Sequence, residues 1–180
     1  MPAVSLAGAF EDFFVAIKFD DEYRLKSLLL RGMDPNTVNE QGFPAIVFGM
    51  MQDSPNAVRV LLSSSKLNPD QADRRGETPL MVACTLNKPE WVAALLEKGA
   101  KQGGDGQWTA LHNAAASGSL ESIELLARSG AKIDVLSPND TTPLMMAARE
   151  GREAAARMLL KLGANPALKN QAGYNAAGYA

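Results

Sequence analysis

Few residues in this chain have the chemistry for catalysis. Among 180 residues there is one histidine, His112, and one cysteine, Cys84. One imidazole cannot form a two-histidine metal site. Cys84 has no partner for an internal disulfide, and beside Ala83 in an apolar run it reads as a small core residue. A serine nucleophile would need a strained turn or an activating dipole beside its base, and no serine stands in such a phrase. Gly103-Gly104-x-Gly106 is glycine-rich like a phosphate loop but lacks the Lys-Ser/Thr that meets phosphate and metal, so it reads as a turn. Glu11, Asp12, Asp20, Asp21 and Glu22 cluster near the start. A calcium loop needs several oxygens at loop spacing, whereas these fall on the polar sides and ends of two helical runs and read as solvated capping surface. Asn139-Asp140-Thr141 has the form of a glycosylation acceptor, which matters only in a eukaryotic secretory pathway. The expectation is a non-enzyme with no catalytic residue, no metal and no cofactor.

The totals narrow the partners. With 18 basic and 20 acidic residues the net charge is −2, and hydrophobic residues make up 46%. That suits a folded chain and argues against a nucleic-acid binder, which would carry a basic face. No apolar run reaches the roughly 18 to 20 residues of a membrane span, so no membrane insertion is expected. At the N-terminus Ala7-Gly8-Ala9 has the small-x-small form of a signal-peptidase site, without a basic n-region or a full apolar core. Residues 1–9 therefore read as a flexible end or the remnant of a leader.

The elements that position side chains are written several times. "GETPLMVAC", "QWTALHNAAASG" and "DTTPLMMAAREG" are variants of one phrase. Aligned on the Thr-Pro place, Pro44, Pro79, Ala110, Pro143 and Ala176 are 35, 31, 33 and 33 residues apart. Threonine before proline caps a helix start, and proline at the first helical position loses no hydrogen bond. Phe43-Pro44 lacks the capping oxygen, which predicts a helix start weaker by about 1 kcal/mol. A short alanine-rich helix follows in each copy, then a turn at Asn87, Gly118 or Gly151. A second helix carries a leucine pair: Leu28-Leu29, Leu61-Leu62, Leu95-Leu96, Leu125-Leu126 or Leu159-Leu160. Gly32, Gly99, Gly130 and Gly163 close it with a left-handed cap, and Ser63-Ser64-Ser65 replaces that close in the second copy. The run Gln102 to Gly106 is short, which predicts a blunted finger. Such a helix pair cannot bury its apolar stripe alone, so neighbours must stack.

The pattern G-x-TPL-x-x-A followed by LL-x-x-GA resembles the ankyrin repeat. It is strongest in Gly76–Ala100, Thr109–Ala131 and Thr142–Ala164, weaker in Gly42–Leu67, and Phe10–Asn36 is similar to an N-terminal repeat without the Thr-Pro phrase. The resemblance implies an all-α solenoid of stacked helix-turn-helix units with short hairpin-like turns. Residues 10–180 divide into units at about 10–41, 42–75, 76–105, 106–138 and 139–170, with a partial one at 171–180. The last unit stops inside a first helix, so residues beyond Asn170 are expected to fray or to dock on a neighbouring chain. "FEDFFVAIKFDDEYRLKSLLLRGMDPNT" is similar to the opening of small ankyrin proteins exported by proteobacteria. With Ala7-Gly8-Ala9, that implies a bacterial, periplasmic protein, with the cytoplasm as the alternative. Histidine at the His112 place of "TALH" is implied to bond within and between repeat turns.

The family implies a non-catalytic scaffold whose concave face, made of finger tips and first helices, binds a partner protein. Carried onto this chain, that selects Phe43, Arg74, Arg75, Glu77, Trp108, Thr141 and Tyr174 at the tips, with Gln41 and Asn139. At the helix ends it selects Met50, Met51, Leu86, Ser117 and Arg149, with Thr85 and Glu150. Aromatics and arginines dominate interface hot spots; the methionines have two readings, a soft apolar floor of the surface or core packing. Trp108 has two readings, a recognition side chain or a lid packed over its own shortened turn. The alternative function is self-association through the incomplete C-terminal repeat, the chain being a monomer or weak homo-oligomer.

Overall fold

Helices of seven to nine residues are marginal in water, and only tertiary packing of an apolar face holds them. The computed structural model describes residues 6–179, with side chains from residue 8. Among the described residues it contains ten α-helices, a 3₁₀ turn and no strand; one isolated antiparallel bridge pairs Val38 with Pro44. The helices are α1 (Leu6–Lys18), α2 (Glu22–Leu30), α3 (Ala45–Met51), α4 (Pro55–Ser63), α5 (Pro79–Thr85), α6 (Pro89–Glu97), α7 (Ala110–Ser117), α8 (Leu120–Arg128), α9 (Pro143–Arg149) and α10 (Glu153–Lys161). The chain forms two compact units divided between Pro79 and Leu80. The fold is the all-α helix-turn-helix stack expected of the repeat. Of residues 1–9, read as a flexible end or the remnant of a leader, residues 6–9 with Ala7-Gly8-Ala9 belong to α1, and residues 1–5 lie outside the described residues.

In the first unit α1 packs on α2 and α3 on α4, while α1 also meets α3 and α2 meets α4. Phe13, Ile17, Leu25, Leu28, Ile46, Met50, Val58 and Leu61 fill the space between them. In the second unit α7 packs on α8 and α9, and α10 on α8 and α9, around Leu111, Ile123, Leu126, Met145 and Leu159. One leucine of each pair is buried in every second helix. The other is half-buried in α2, α4, α6 and α8, but Leu160 of α10 is 46% exposed, with no following helix against it among the described residues.

The helix starts correct the alignment by one residue. Pro44 is itself the N-cap of α3, and helix begins at Ala45. The starts at Ala45, Pro79, Ala110, Pro143 and Ala176 are therefore 34, 31, 33 and 33 residues apart. Pro44 offers no side-chain oxygen, as expected, but the Ala45 N–H donates to the Thr37 carbonyl at 2.9 Å, which replaces the missing cap. Thr142 caps α9 through the Met145 N–H at 3.2 Å, with Pro143 at the first helical place. The turn between paired helices is left-handed at Asn87 and Gly118 as predicted, and also at Asp20 and Asp53. Second helix α4 ends on extended backbone at Ser64, where its relatives end on glycine.

The carboxylates near the start are structural. Asp21 caps α2 through the Arg24 N–H at 3.0 Å, and Asp12 pairs with Arg24 at 2.6 Å. Asp20 reaches the next repeat, where its carboxylate accepts the Ala57 N–H and the Asn56 side-chain amide, both at 2.8 Å. Residues beyond Asn170 do not follow the fraying expectation. The 3₁₀ turn Ala176–Tyr179 packs on α9, and the Tyr179 hydroxyl accepts from Asn170 Nδ2 at 2.7 Å. A short turn is enough to seat the tail because Asn170 fixes the chain direction there. Removing the cross-repeat cap is expected to weaken the first unit: Asp20→Ala lowers unfolding free energy by about 1 to 2 kcal/mol in urea titration, and Asp20→Gly, which relieves the positive φ, still loses most of it.

Candidate functional site

Four of the fingers that precede the first helices are closed by the same device. Asn39, Asp73, Ser137 and Asn170 each donate their N–H to the carbonyl four residues on. Their side-chain oxygens accept the N–H of that same residue, namely Phe43 at 2.9 Å, Glu77 at 3.0 Å, Thr141 at 3.0 Å and Tyr174 at 3.0 Å. The side chains most relevant to recognition thus sit at the end of a doubly bonded loop, two residues before the helix. The closing residues escaped the sequence reading, although Asn, Asp, Ser and Asn recur six residues before each helix start.

The third finger in chain order, before α7, is built differently. Gly104 stands where the others carry the closing side chain, and the left-handed residues are Gly103 and Gly106. This finger is tied forward: Gly106 N–H donates to the Leu136 carbonyl at 2.7 Å, and Asp105 accepts the Leu136 N–H at 2.9 Å. Lys132 pairs with Asp105 at 2.5 Å and, with the Leu136 bond, holds that carboxyl below its usual range. The closure of this finger therefore lies in the next one and not in its own backbone. Trp108 follows it, 41% exposed, with its ring edge-to-face on His112 at 5.2 Å. Trp108 therefore packs locally on His112 and leaves the rest of its ring open.

His112 is fully buried. The Thr109 N–H donates to Nδ1 at 3.2 Å, so Nδ1 is unprotonated and Nε2–H donates to the Thr141 carbonyl at 2.9 Å; the network assigns this tautomer. The ring therefore ties α7 to the next finger, the role implied for it. Burial lowers its proton affinity below the usual 6.5, and the Thr141 and Val135 carbonyls only partly offset this. Cys84 is buried and its thiol is pushed up to about 12, which leaves it protonated and unreactive at neutral pH.

The predicted contact residues separate by burial. In the first unit Met51, Arg74 and Arg75 are exposed, and Phe43 and Glu77 are half-buried. Arg75 is neutralised by Glu77 at 2.5 Å and Asp73 at 3.3 Å. Arg74 lies across Gly42, donates to the Glu40 carbonyl at 3.2 Å, and occupies the space a Cβ on Gly42 would need. Met50 is 1% exposed and belongs to the core. The one-residue correction explains this, since Met50 takes the place of Cys84 and Ala115, not that of Thr85. Phe19, 73% exposed, was missed. It precedes left-handed Asp20 just as Leu86 precedes left-handed Asn87.

In the second unit Leu86, Trp108 and Tyr174 are 39%, 41% and 53% exposed. Arg149 is exposed and pairs with Glu150 at 2.9 Å. Thr141 is only 4% exposed, its backbone bonded on both sides by Ser137 and its carbonyl also held by His112. It is a strut between fingers and offers no side chain to a partner. The Ser117 hydroxyl is half-buried and donates to the Cys84 and Ala114 carbonyls at 2.9 and 3.1 Å.

Short paired helices, self-closing fingers and open side chains on them define a helix-pair repeat protein of the interaction kind. The chain belongs to the ankyrin-repeat family: the family described as Ankyrin repeats (3 copies) matches residues 13–104 and 101–170. It is 30% identical over 150 residues to the human transient receptor potential cation channel subfamily A member 1, covering 78% of this chain and 13% of that protein. It is 34% identical over 152 residues to protein glp-1 of Caenorhabditis elegans, covering 76% and 12%. Against an ankyrin repeat-containing protein of Treponema pallidum it is 28% identical over 178 residues, covering 95% and 58%. The chain thus spans a small part of the first two relatives and somewhat over half of the third. Membership marks it as a protein–protein interaction module.

The histidine network sets a pH dependence. Well above pH 6.5 the ring is neutral whether folded or unfolded, and stability is unaffected. As pH falls below 6.5 the unfolded chain takes up a proton that the folded chain resists, so stability declines until the lowered folded value is passed. Chemical denaturation between pH 8 and 5 is expected to show this decline, and His112→Gln, though less stable at pH 8, loses the part of the slope that begins near 6.5.

Proposed function

We propose that the protein is a non-catalytic scaffold that holds a partner protein against the fingers and first-helix ends of its repeats. The observation that carries this is the finger row of the second unit, where Trp108 and Tyr174 stand open on either side of a buried Thr141. Their rings are not needed to close the turns, which backbone and small polar side chains do. Their open area is of the kind that dominates binding energy. The first unit offers its own set, with Phe43, Met51 and Arg74 joined by Phe19. Catalysis finds no support, because the His112 nitrogens are both engaged and the Cys84 thiol is protonated.

Self-association through the C-terminal end is the weaker reading, since Ala176–Tyr179 folds onto α9 and leaves mainly Leu160 and Leu162 open. A periplasmic address is proposed on the resemblance of the opening segment alone. Recovery of the native protein in osmotic-shock fluid supports it, and recovery in the cytosol overturns it.

The binding reading is tested by affinity capture from native envelope extract, with captured proteins quantified. Trp108→Ala is expected to keep the helical content and weaken the captured interaction by about 2 kcal/mol or more. Equal capture by wild type and variant, with a lowered melting temperature, would assign Trp108 to local packing.

A further inference from the structure

Gln102 opens the stretch that leads into the third finger. Its side-chain Nε2 donates to the Ser129 carbonyl at 2.9 Å. That bond fixes the orientation of the amide, because the flipped form would set oxygen against oxygen. The other end, Oε1, is shut off from bulk solvent and receives no hydrogen bond, the one such side-chain atom among the described residues. A buried acceptor left unpaired is destabilising, and native structures keep few of them.

Gln102 also lines a small cavity, together with Gly103, Thr109, Leu111, Lys132 and Val135. Its volume is about 10 Å³, the room that one water molecule needs. Thr109, Leu111 and Val135 are buried while Gly103 and Lys132 are exposed, so the cavity is reached from the surface past the latter two. Two acceptors and one donor border it. Besides Gln102 Oε1 there is Thr109, whose hydroxyl donates its one O–H to His112 Nδ1 at 2.9 Å and so offers only lone pairs elsewhere. Lys132 carries three N–H bonds, and Asp105 engages its ammonium from one side. The guest that fits donates twice, accepts once and is no larger than water. An ammonium ion is disfavoured by the charge of Lys132, and an anion by the two acceptors.

We infer that this cavity is a binding site for a single water molecule, held between Gln102 Oε1 and the Thr109 hydroxyl oxygen. The two residues stand on either side of the third finger, where Gly104 takes the place of a closing side chain. The water is then the inner tie of that finger, and the bonds to Leu136 are the outer one. This assignment does not depend on what the finger binds.

The test uses the full chain. A high-resolution crystal structure is expected to show an ordered water within hydrogen-bond distance of both oxygens. Val135→Ile sets a methyl group in the cavity in place of the water and keeps the bond from Gln102 to Ser129. It is expected to lower the melting temperature by about 2 to 4 °C, the shift that one lost buried hydrogen bond gives in a chain of this size. Amide exchange at Gly106 is expected to quicken in the same variant. In Gln102→Met, which removes the acceptor and is checked for unchanged helical content, adding Val135→Ile is expected to cost nothing further. Three results would each overturn the assignment. One is a cavity without density in the crystal. Another is a raised melting temperature in Val135→Ile, the response of a dry void to filling. The third is an equal loss on Val135→Ile in both backgrounds, which marks overpacking.

Discussion

A pair of helices seven and nine residues long has an apolar stripe and nothing of its own to put against it. Everything else in this chain follows from that deficit. Within each compact unit neighbouring pairs cover one another's stripes, so Leu61, Leu126 and Leu159 vanish from solvent. The deficit also explains why hydrogen bonds that cross between repeats recur. Asp20 caps a helix in the following repeat, His112 bonds the following finger, and Asn36 accepts the Asn68 N–H at 2.7 Å. Burial supplies most of the stabilisation, and these bonds fix the spacing at which it occurs.

The same economy frees the fingers for recognition. A loop closed by its own backbone and one small polar oxygen places few demands on the side chain that follows. Phe43, Glu77 and Tyr174 can therefore differ in size, charge and polarity without disturbing the turn. Thr141 shows where that freedom ends: once a neighbouring imidazole claims its carbonyl, the residue is drawn inward.

The helices, their pairing and their left-handed turns were legible because glycine, proline, threonine and leucine recur for reasons of backbone geometry and burial that act locally. The site was less legible. Pro44 looks like the proline of the repeated phrase, yet its missing N–H suits the place before the helix as well as the first place within it. That ambiguity moved Met50 from the core to the surface in the sequence reading. Thr141 was misplaced for another reason, since its burial depends on a bond from a residue 29 positions away. Phe19 was overlooked because its repeat lacks the Thr-Pro landmark, although the left-handed Asp20 that follows marks the same corner.

The forward tie of the third finger has a consequence for how such an array can be rearranged. A finger closed upon itself travels with its own helix pair and can be duplicated, deleted or grafted as a cassette. The loop at Gly104 cannot, because its closure is lodged in Asp105 on one module and Leu136 on the next. Those two modules are a single unit of inheritance, and any exchange that splits them would carry away half of a turn.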